Sequence, residues 1–334
     1  MRREDIQKII YDNVRIRFRS EELNKQWSEY IINHFLYRIN KYRENFKESF
    51  EALKESFNNL VEVYKSYDQD PVFSRIMKFY MKSLLFSSYL ADQELIKKKE
   101  KVNCIDECGR VFMSFFSKFS NGSDNMSIFY CIISLTRIYF KLKTYRNSKT
   151  LIDWVDRTGL DVADFPKSEV TTFYYYSGRL SLYELQLYDA NKILSNAFSL
   201  CKDNHFTNKR LLLEYLIPLK LFEGIMPTEY ILKKYNLEQY NPLITAFKEG
   251  NLTLFEKAIE DLEDRLITLG TFLIVEKLKP YLMRNIIKAI YSTYSEELAK
   301  LKTPVIKLEL IHNVLSNVTN YTSMEDRKST RLNS

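Results

Sequence analysis

Glycine and proline are scarce in this chain, which holds only seven of each among 334 residues. Sheet-rich folds need frequent tight turns built from these residue types, whereas helix interiors exclude both. Apolar residues also recur at the three- and four-residue spacing of one helix face, as in the run Phe50, Leu53, Phe57, Leu60 and Tyr64. The sequence therefore predicts an all-α protein.

The bulk composition predicts an ordered chain with an uneven charge. Hydrophobic residues make up 45% and aromatic residues 14%, which is enough for a core. The length predicts about two domains. The net charge is +7, and residues 1–150 hold 27 Lys and Arg against 19 Asp and Glu. This excess is either an ordinary solvated helical surface or a basic face for nucleic acid or an acidic protein.

The cysteines and the apolar runs predict the compartment. Cys104 and Cys108 are four residues apart, but no second pair follows, so buried free thiols are favoured over zinc ligands. Four cysteines in a chain of this length suit a reducing compartment. The N-terminus lacks the apolar core of a signal peptide, and no run reaches the ~18 apolar residues of a membrane span.

The helical segments follow one another with short joints, which predicts stacked helical hairpins. Gly178 is followed by Ala190, Leu194 and Ala197, close to the small-residue spacing of tetratricopeptide repeats. Such hairpins stack into an α-solenoid with an extended surface for partners. His34 lies on the apolar face of its helix, which favours a hydrogen-bonded core histidine over a catalytic one.

Residues 110–150 carry seven Lys and Arg and a single acid, with aromatic residues among them. Basic residues beside aromatic rings can hold phosphates and stack bases. However, Phe112, Phe115, Phe116 and Phe119 have the spacing of one helix face, which predicts core positions first. The candidates for nucleic acid or an acidic partner are Arg137, Lys141, Lys143 and Arg146.

Ten short blocks follow one another in a recognisable order between residues 178 and 285. They are Gly178–Leu185, Ala197–Cys201, Asn208–Arg210, Tyr215–Lys220, Met226–Thr228, Leu232–Tyr235, Glu249–Leu252, Gly270–Leu273, Leu278 and Arg284–Asn285. In this order they resemble the PCI domain family, over roughly residues 170–315. The expected fold is thus an α-solenoid of tetratricopeptide-like hairpins running into a PCI domain whose C-terminal winged helix is truncated.

The resemblance implies a non-catalytic scaffold subunit of a nuclear messenger-RNA export complex. The implied partners are a Sac3/GANP-type scaffold, a small acidic protein of the Sem1/DSS1 type, and RNA or DNA bound without sequence preference. The implied location is nuclear, near the nuclear pore, with some protein in the cytoplasm. The alternative is a PCI subunit of a signalosome or proteasome-lid type assembly without a nucleic-acid role.

Four further basic residues lie inside the region that resembles PCI domains, namely Lys209, Arg210, Lys233 and Lys234. With Asn208 as the predicted N-cap, Lys209 and Arg210 fall in the first turn of a helix, where the helix dipole disfavours cations. Either this pair is kept for a partner, or a salt bridge from Arg210 to Glu214 offsets the cost. All four remain candidates for nucleic acid or the acidic partner.

The turn signals near residue 165 and the resemblance together predict four segments. These are N-terminal helical repeats in 1–165, the helical part of a PCI domain in 166–300, the first helix of a truncated winged helix in 301–318, and a disordered or artefactual tail in 319–334. Val305, Leu308, Ile311 and Leu315 would form an uncovered apolar face and are partner-interface candidates. Residues 328–334 resemble translated sequencing adaptor, which predicts a truncated or chimeric gene model; a natural disordered tail is the alternative.

No enzyme signature occurs in the sequence. It lacks a Gly-rich phosphate loop, an H-E-x-x-H motif, a nucleophile elbow and clustered histidines. No catalysis, cofactor, metal or small-molecule substrate is therefore expected.

Overall fold

A computed structural model describes residues 21–67 and 71–293 and, outside these ranges, only the single positions 4 and 313. The described residues are α-helices joined by short turns, and they contain no β-strand. The chain divides into two compact units between Tyr176 and Ser177. This boundary falls eleven residues after the predicted one and inside a continuous helix, so no change in composition marks it.

The first unit is built from consecutive helices that pack on their neighbours along the chain. Their bounds are α1 Glu21–Tyr42, α2 Phe46–Ser66, α3 Ser74–Lys98, α4 Cys104–Phe119, α5 Asn125–Lys141 and α6 Tyr145–Thr158, and α7, Lys167–Tyr183, begins in this unit. The rings of Phe57 on α2 and Phe112 and Phe115 on α4 meet in its core, with centroids 6.0 and 6.1 Å apart. The predicted core role of the α4 face is thus confirmed for Phe112 and Phe115.

Two buried carboxylates fix helix starts in this unit. Asp124 caps α5 by accepting a hydrogen bond from Ser127 N at 3.1 Å, and it also accepts from Tyr64 Oη at 2.9 Å and Ser74 Oγ at 2.7 Å. Asp92 on α3 accepts from the backbone N–H groups at the start of α4. Because buried carboxylates need several donors, these bonds fix α2, α3, α4 and α5 against one another.

Up to residue 293, where the described range ends, the second unit continues from α7 through seven further α-helices. Their bounds are α8 Leu187–Leu200, α9 Phe206–Phe222, α10 Glu229–Lys234, α11 Asn241–Glu249, α12 Leu252–Leu269, α13 Phe272–Glu276 and α14 Lys279–Thr293. Gly250 and Gly270 end α11 and α12 with positive φ angles of 72° and 76°, as the predicted joints require. The predicted all-α fold of helical hairpins is confirmed in each unit.

The hairpin predicted around Gly178 is present. A β-carbon at Gly178 on α7 would lie 2.5 Å from Leu194 Cγ on α8, so only glycine allows this approach. Ala190, Leu194 and Ala197 are all fully buried. One local prediction is wrong: α9 begins at Phe206 with His205 as its N-cap, three residues before the start expected from Asn208. An N-cap side chain contributes only about 1 kcal/mol, so the surrounding packing can move a helix start.

Candidate functional site

The corner between α5 and α6 gathers basic side chains around one turn. Lys143 adopts a left-handed conformation with φ 59°, and Thr144 N donates to Tyr139 O at 2.9 Å, which closes the end of α5. Lys141 lies just before this turn and Arg146 just after it, in the first turn of α6. The predicted candidates in this region therefore share one corner of the first unit.

The exposed cations of this corner form no ion pair within the described part of the chain. The sequence from residue 125 to residue 152 contains no Asp or Glu. Lys141, Lys143 and Arg146 are exposed and form no ion pair with any described residue. Arg137 is half-buried one turn earlier, where its charge opposes the rise in the pKa of Tyr130 that burial causes. The three exposed cations can thus contact phosphates or carboxylates, whereas Arg137 is partly withdrawn.

Most of the aromatic rings on α4 are packed in the core and are not available to stack on bases. Phe112, Phe115 and Phe119 are buried in the core, with at most 3% exposure. Phe116 packs edge-on against Trp154 with ring centroids 5.2 Å apart, and Tyr139 is also buried. At the corner itself, Phe140 and Tyr145 are only half-buried, and their rings pack edge-on with centroids 5.2 Å apart.

Lys209 is held inside the second unit. It is only 7% exposed, its ammonium group pairs with Asp203, and it lies 4.6 Å from the centroid of the Phe198 ring. Lys209 also lowers the pKa of Asp203 through this hydrogen bond. The prediction that Lys209 offers its charge to a partner is therefore corrected, because that charge is used within the fold.

Arg210 belongs to a charge cluster with Arg265 around the buried carboxylate of Glu214. The side chain of Glu214 on α9 is fully buried, and its Oε2 pairs with the guanidinium of Arg265 on α12. Arg210 Nε lies 3.8 Å from Glu214 Oε1, an ion pair too long for a hydrogen bond. The predicted Arg210–Glu214 salt bridge is thus present. Burial and then the Glu214 charge raise the pKa of Tyr240, which lies next to the cluster.

Lys233 and Lys234 end the short helix α10 and remain exposed. Lys233 makes only a 3.9 Å contact with Glu229, and both side chains are more than 60% exposed. Lys234 Nζ lies 5.7 Å from the centroid of the Tyr230 ring, which is 71% exposed. Sequence reasoning missed Tyr230, although its four-residue spacing from Lys234 was visible. These residues form an accessible basic and aromatic group in the second unit.

A metal site and a membrane-spanning helix are both absent from the described residues. Within residues 21–67 and 71–293, no group of three or more His, Cys, Asp or Glu is arranged to hold a metal ion. A pocket of about 300 Å³ lies between α2 and α4, and its charged residues Glu62 and Lys118 pair with each other at 3.1 Å. No described helix combines the length and apolar character of a bilayer span.

The remaining candidates fall outside the described part of the chain. Val305, Leu308, Ile311 and Leu315 lie there, as do the tail residues 319–334. The predicted truncated winged helix at 301–318 therefore stays a prediction.

Comparison with known proteins finds similar sequences in animals and plants. PCI domain-containing protein 2 of Danio rerio is 30% identical over 278 residues, which cover 80% of this chain and 69% of that protein. PCI domain-containing protein 2 of Xenopus laevis is 32% identical over 256 residues, covering 74% of this chain and 64% of that protein. Enhanced ethylene response protein 5 of Arabidopsis thaliana is 27% identical over 271 residues.

The matched stretches cover a larger share of this chain than of its relatives. The matched stretch spans 80% of this chain but only 65% of the Arabidopsis protein, and likewise only 64% of the Xenopus protein. Thus the chain spans slightly less than two thirds of these two relatives. No protein-family model matches the chain.

Proposed function

The chain belongs to the PCI domain-containing protein 2 family, and on this basis we propose that it is a non-catalytic scaffold subunit of a nuclear messenger-RNA export complex. The observation that carries the proposal is the 30% identity to a PCI domain-containing protein over 80% of the chain. Consecutive helical hairpins in each unit support it, because such repeats expose long surfaces suited to macromolecular partners. The proposed location is the nucleus, near the nuclear pore, with some protein in the cytoplasm.

The proposed protein partners are a Sac3/GANP-type scaffold and a small acidic protein of the Sem1/DSS1 type. The exposed group of Tyr230, Lys233 and Lys234 supports the second partner, because an acidic chain can pair with the ammonium groups and pack on the ring. The charge excess of residues 1–150 supports it as well.

Co-expression tests the protein partners. The chain is produced with a tagged Sac3/GANP-type protein and an untagged Sem1/DSS1-type protein, and the complex is isolated through the tag. The proposal expects a stable three-protein complex on a sizing column. Retention of neither partner would count against it, and co-purification with signalosome or proteasome-lid subunits instead would favour the alternative assembly.

The proposed nucleic-acid contact is the α5–α6 corner. Its cations Lys141, Lys143 and Arg146 are exposed and form no ion pair with a described residue, which suits phosphate groups. Binding through phosphates should therefore be independent of the nucleotide sequence and should weaken with salt. If three phosphates of a single strand are contacted, the logarithm of the binding constant should fall with the logarithm of the salt concentration with a slope of about −2.

A salt series with single-stranded RNA tests this contact. The variant K141Q/K143Q/R146Q should weaken binding and flatten the slope. The control K192Q/K257Q/K277Q removes the same number of positive charges from exposed positions elsewhere and should leave the slope unchanged. Equal losses in the two variants would make the effect one of net charge, and a flat response of the unmodified chain would remove the nucleic-acid contact from the proposal.

A further inference from the structure

An exposed apolar face runs along α3 in the first unit. We call it the α3 apolar face, and it consists of Ile76, Phe79 and Phe86. Their side chains are 39%, 58% and 55% exposed, although all three are large and apolar. Single exposed apolar residues are common on protein surfaces, but two aromatic rings on one line of a helix are a patch.

The spacing of these residues places them together. Phe79 and Phe86 are seven residues apart, so they lie about 10.5 Å apart along the axis and within roughly 20° around it. The opposite side of α3 is buried through Met77, Met81 and Leu84. The α3 apolar face is therefore a second apolar side of a helix whose first side already packs in the core.

Both borders of the α3 apolar face are basic. Arg75 and Lys82 lie along one border, are exposed and form no ion pair with any described residue. On the other border, α1 packs beside α3 through a 2.8 Å hydrogen bond between Tyr80 and Tyr30, and its Lys41 Nζ lies 5.9 Å from the Phe86 ring centroid. From residue 71 to residue 91 the sequence contains no Asp or Glu.

We propose that the α3 apolar face is a docking site for an amphipathic helix of a partner protein that carries apolar residues at heptad spacing and Asp or Glu beside them. The seven-residue repeat is the one that lets two helices pack side by side, and acidic flanks pair with Arg75, Lys82 and Lys41. A second copy of this chain fits poorly, because its basic borders would face each other. The inference goes beyond the proposed function, which assigns no partner to α3.

Synthetic helical peptides test the inference on the full chain. One fluorescent peptide of three heptads carries Leu at the a and d positions and Glu at e and g; a second carries Lys in place of Glu. Anisotropy should show binding of the Glu peptide and little binding of the Lys peptide. The variant F79A/F86A should lower the affinity for the Glu peptide at least about tenfold, because buried aromatic anchors dominate such contacts.

Two further variants make the result specific. The control I267A/L273A removes two apolar side chains of similar exposure in the second unit and should leave the affinity unchanged. The charge swap R75E/K82E should transfer the preference from the Glu peptide to the Lys peptide. Circular dichroism should show unchanged helix content in all variants, since the altered side chains are exposed.

Several outcomes would overturn the inference. Equal binding of both peptides, or equal affinity of the unmodified chain and F79A/F86A, would show that the face does not select an acidic helix. Self-association measured by light scattering and abolished by F79A/F86A would assign the face to a second copy. Binding to anionic phosphatidylserine vesicles that F79A/F86A abolishes would assign it to a membrane surface. If the Sac3/GANP-type and Sem1/DSS1-type proteins fail to bind, only the proposed function is contradicted, and the docking site on the α3 apolar face still stands.

Discussion

Arg265 on α12 reaches the fully buried carboxylate of Glu214 on α9, 51 residues earlier in the chain. Among the described residues, the second oxygen of Glu214 has the 3.8 Å ion pair with Arg210 and no hydrogen bond. A buried carboxylate is costly unless cations and donors surround it. Arg265 therefore links α12 to α9 through this buried charge, and Arg210, which lies on α9 itself, adds a second and more distant cation.

Replacing Arg265 with Met should destabilise the chain. The change leaves Glu214 buried with a single distant cation, and the expected loss is about 2–3 kcal/mol in the free energy of unfolding. The loss is smaller than for a wholly buried pair because the side chain of Arg265 is 42% exposed. Urea unfolding followed by circular dichroism measures it.

Two comparisons separate the effect of breaking the ion pair on stability from the general effect of removing a positive charge. Lys257→Met changes an exposed cation on the same helix and should alter stability little. The double variant E214M/R265M should be more stable than R265M alone, because no unpaired charge is then buried. If R265M unfolds at the same urea concentration as the unmodified chain, the pair contributes nothing to stability.

The Glu214 cluster also shows how far the sequence could predict the fold. The Arg210–Glu214 pair was visible because residues four apart share a helix face. Arg265 carried no such signal, since its partner lies 51 residues away and depends on how α9 and α12 pack. Helix positions follow from local periodicity, whereas the partners of buried charges follow from tertiary packing.

The candidate basic residues show the same difference between what the sequence predicts and what tertiary packing decides. Charge counting found the α5–α6 corner because Lys141, Lys143 and Arg146 are neighbours in the sequence. It failed for Lys209, because burial against Phe198 and pairing with Asp203 arise from the way α8 and α9 close on each other. Composition reports how many cations a segment has, but only packing decides which of them face the solvent.

Gly178 supports a second prediction, on the approach of α7 to α8. A β-carbon at this position would lie 2.5 Å from Leu194 Cγ and 2.8 Å from Leu194 Cδ2. Gly178→Ala should therefore destabilise the chain by about 1–3 kcal/mol, although alanine favours a helix over glycine by about 1 kcal/mol. Chemical denaturation of the purified variant and of the unmodified chain measures the change in the free energy of unfolding and its sign.

A double-mutant cycle identifies the cause of that loss. Leu194→Ala alone should be costly, because Leu194 is fully buried. In this background the clash is gone, so adding Gly178→Ala should be neutral or stabilising. The same loss from Gly178→Ala in both backgrounds would show that the contact with Leu194 is not responsible.

The third prediction concerns His34, which was expected to be a hydrogen-bonded core histidine. Its Nδ1 lies 2.7 Å from Tyr80 Oη, and the side chain is half-buried, as predicted. Burial lowers the pKa of His34 below its usual value of 6.5, and the nearby Arg38 charge lowers it further. The unfolded chain therefore takes up a proton at this residue more readily than the folded chain.

The consequence is a loss of stability in mild acid. Below pH of about 6.5 the unfolded state binds more protons at His34, so the free energy of unfolding falls as the pH falls towards the lower folded pKa. His34→Gln should show a shallower fall between about pH 7 and 5 in urea unfolding, because it cannot take up the proton. His205→Gln alters an exposed histidine and serves as the control, with the steeper fall retained. Parallel curves for the unmodified chain and His34→Gln would mean that the acid sensitivity arises from other groups.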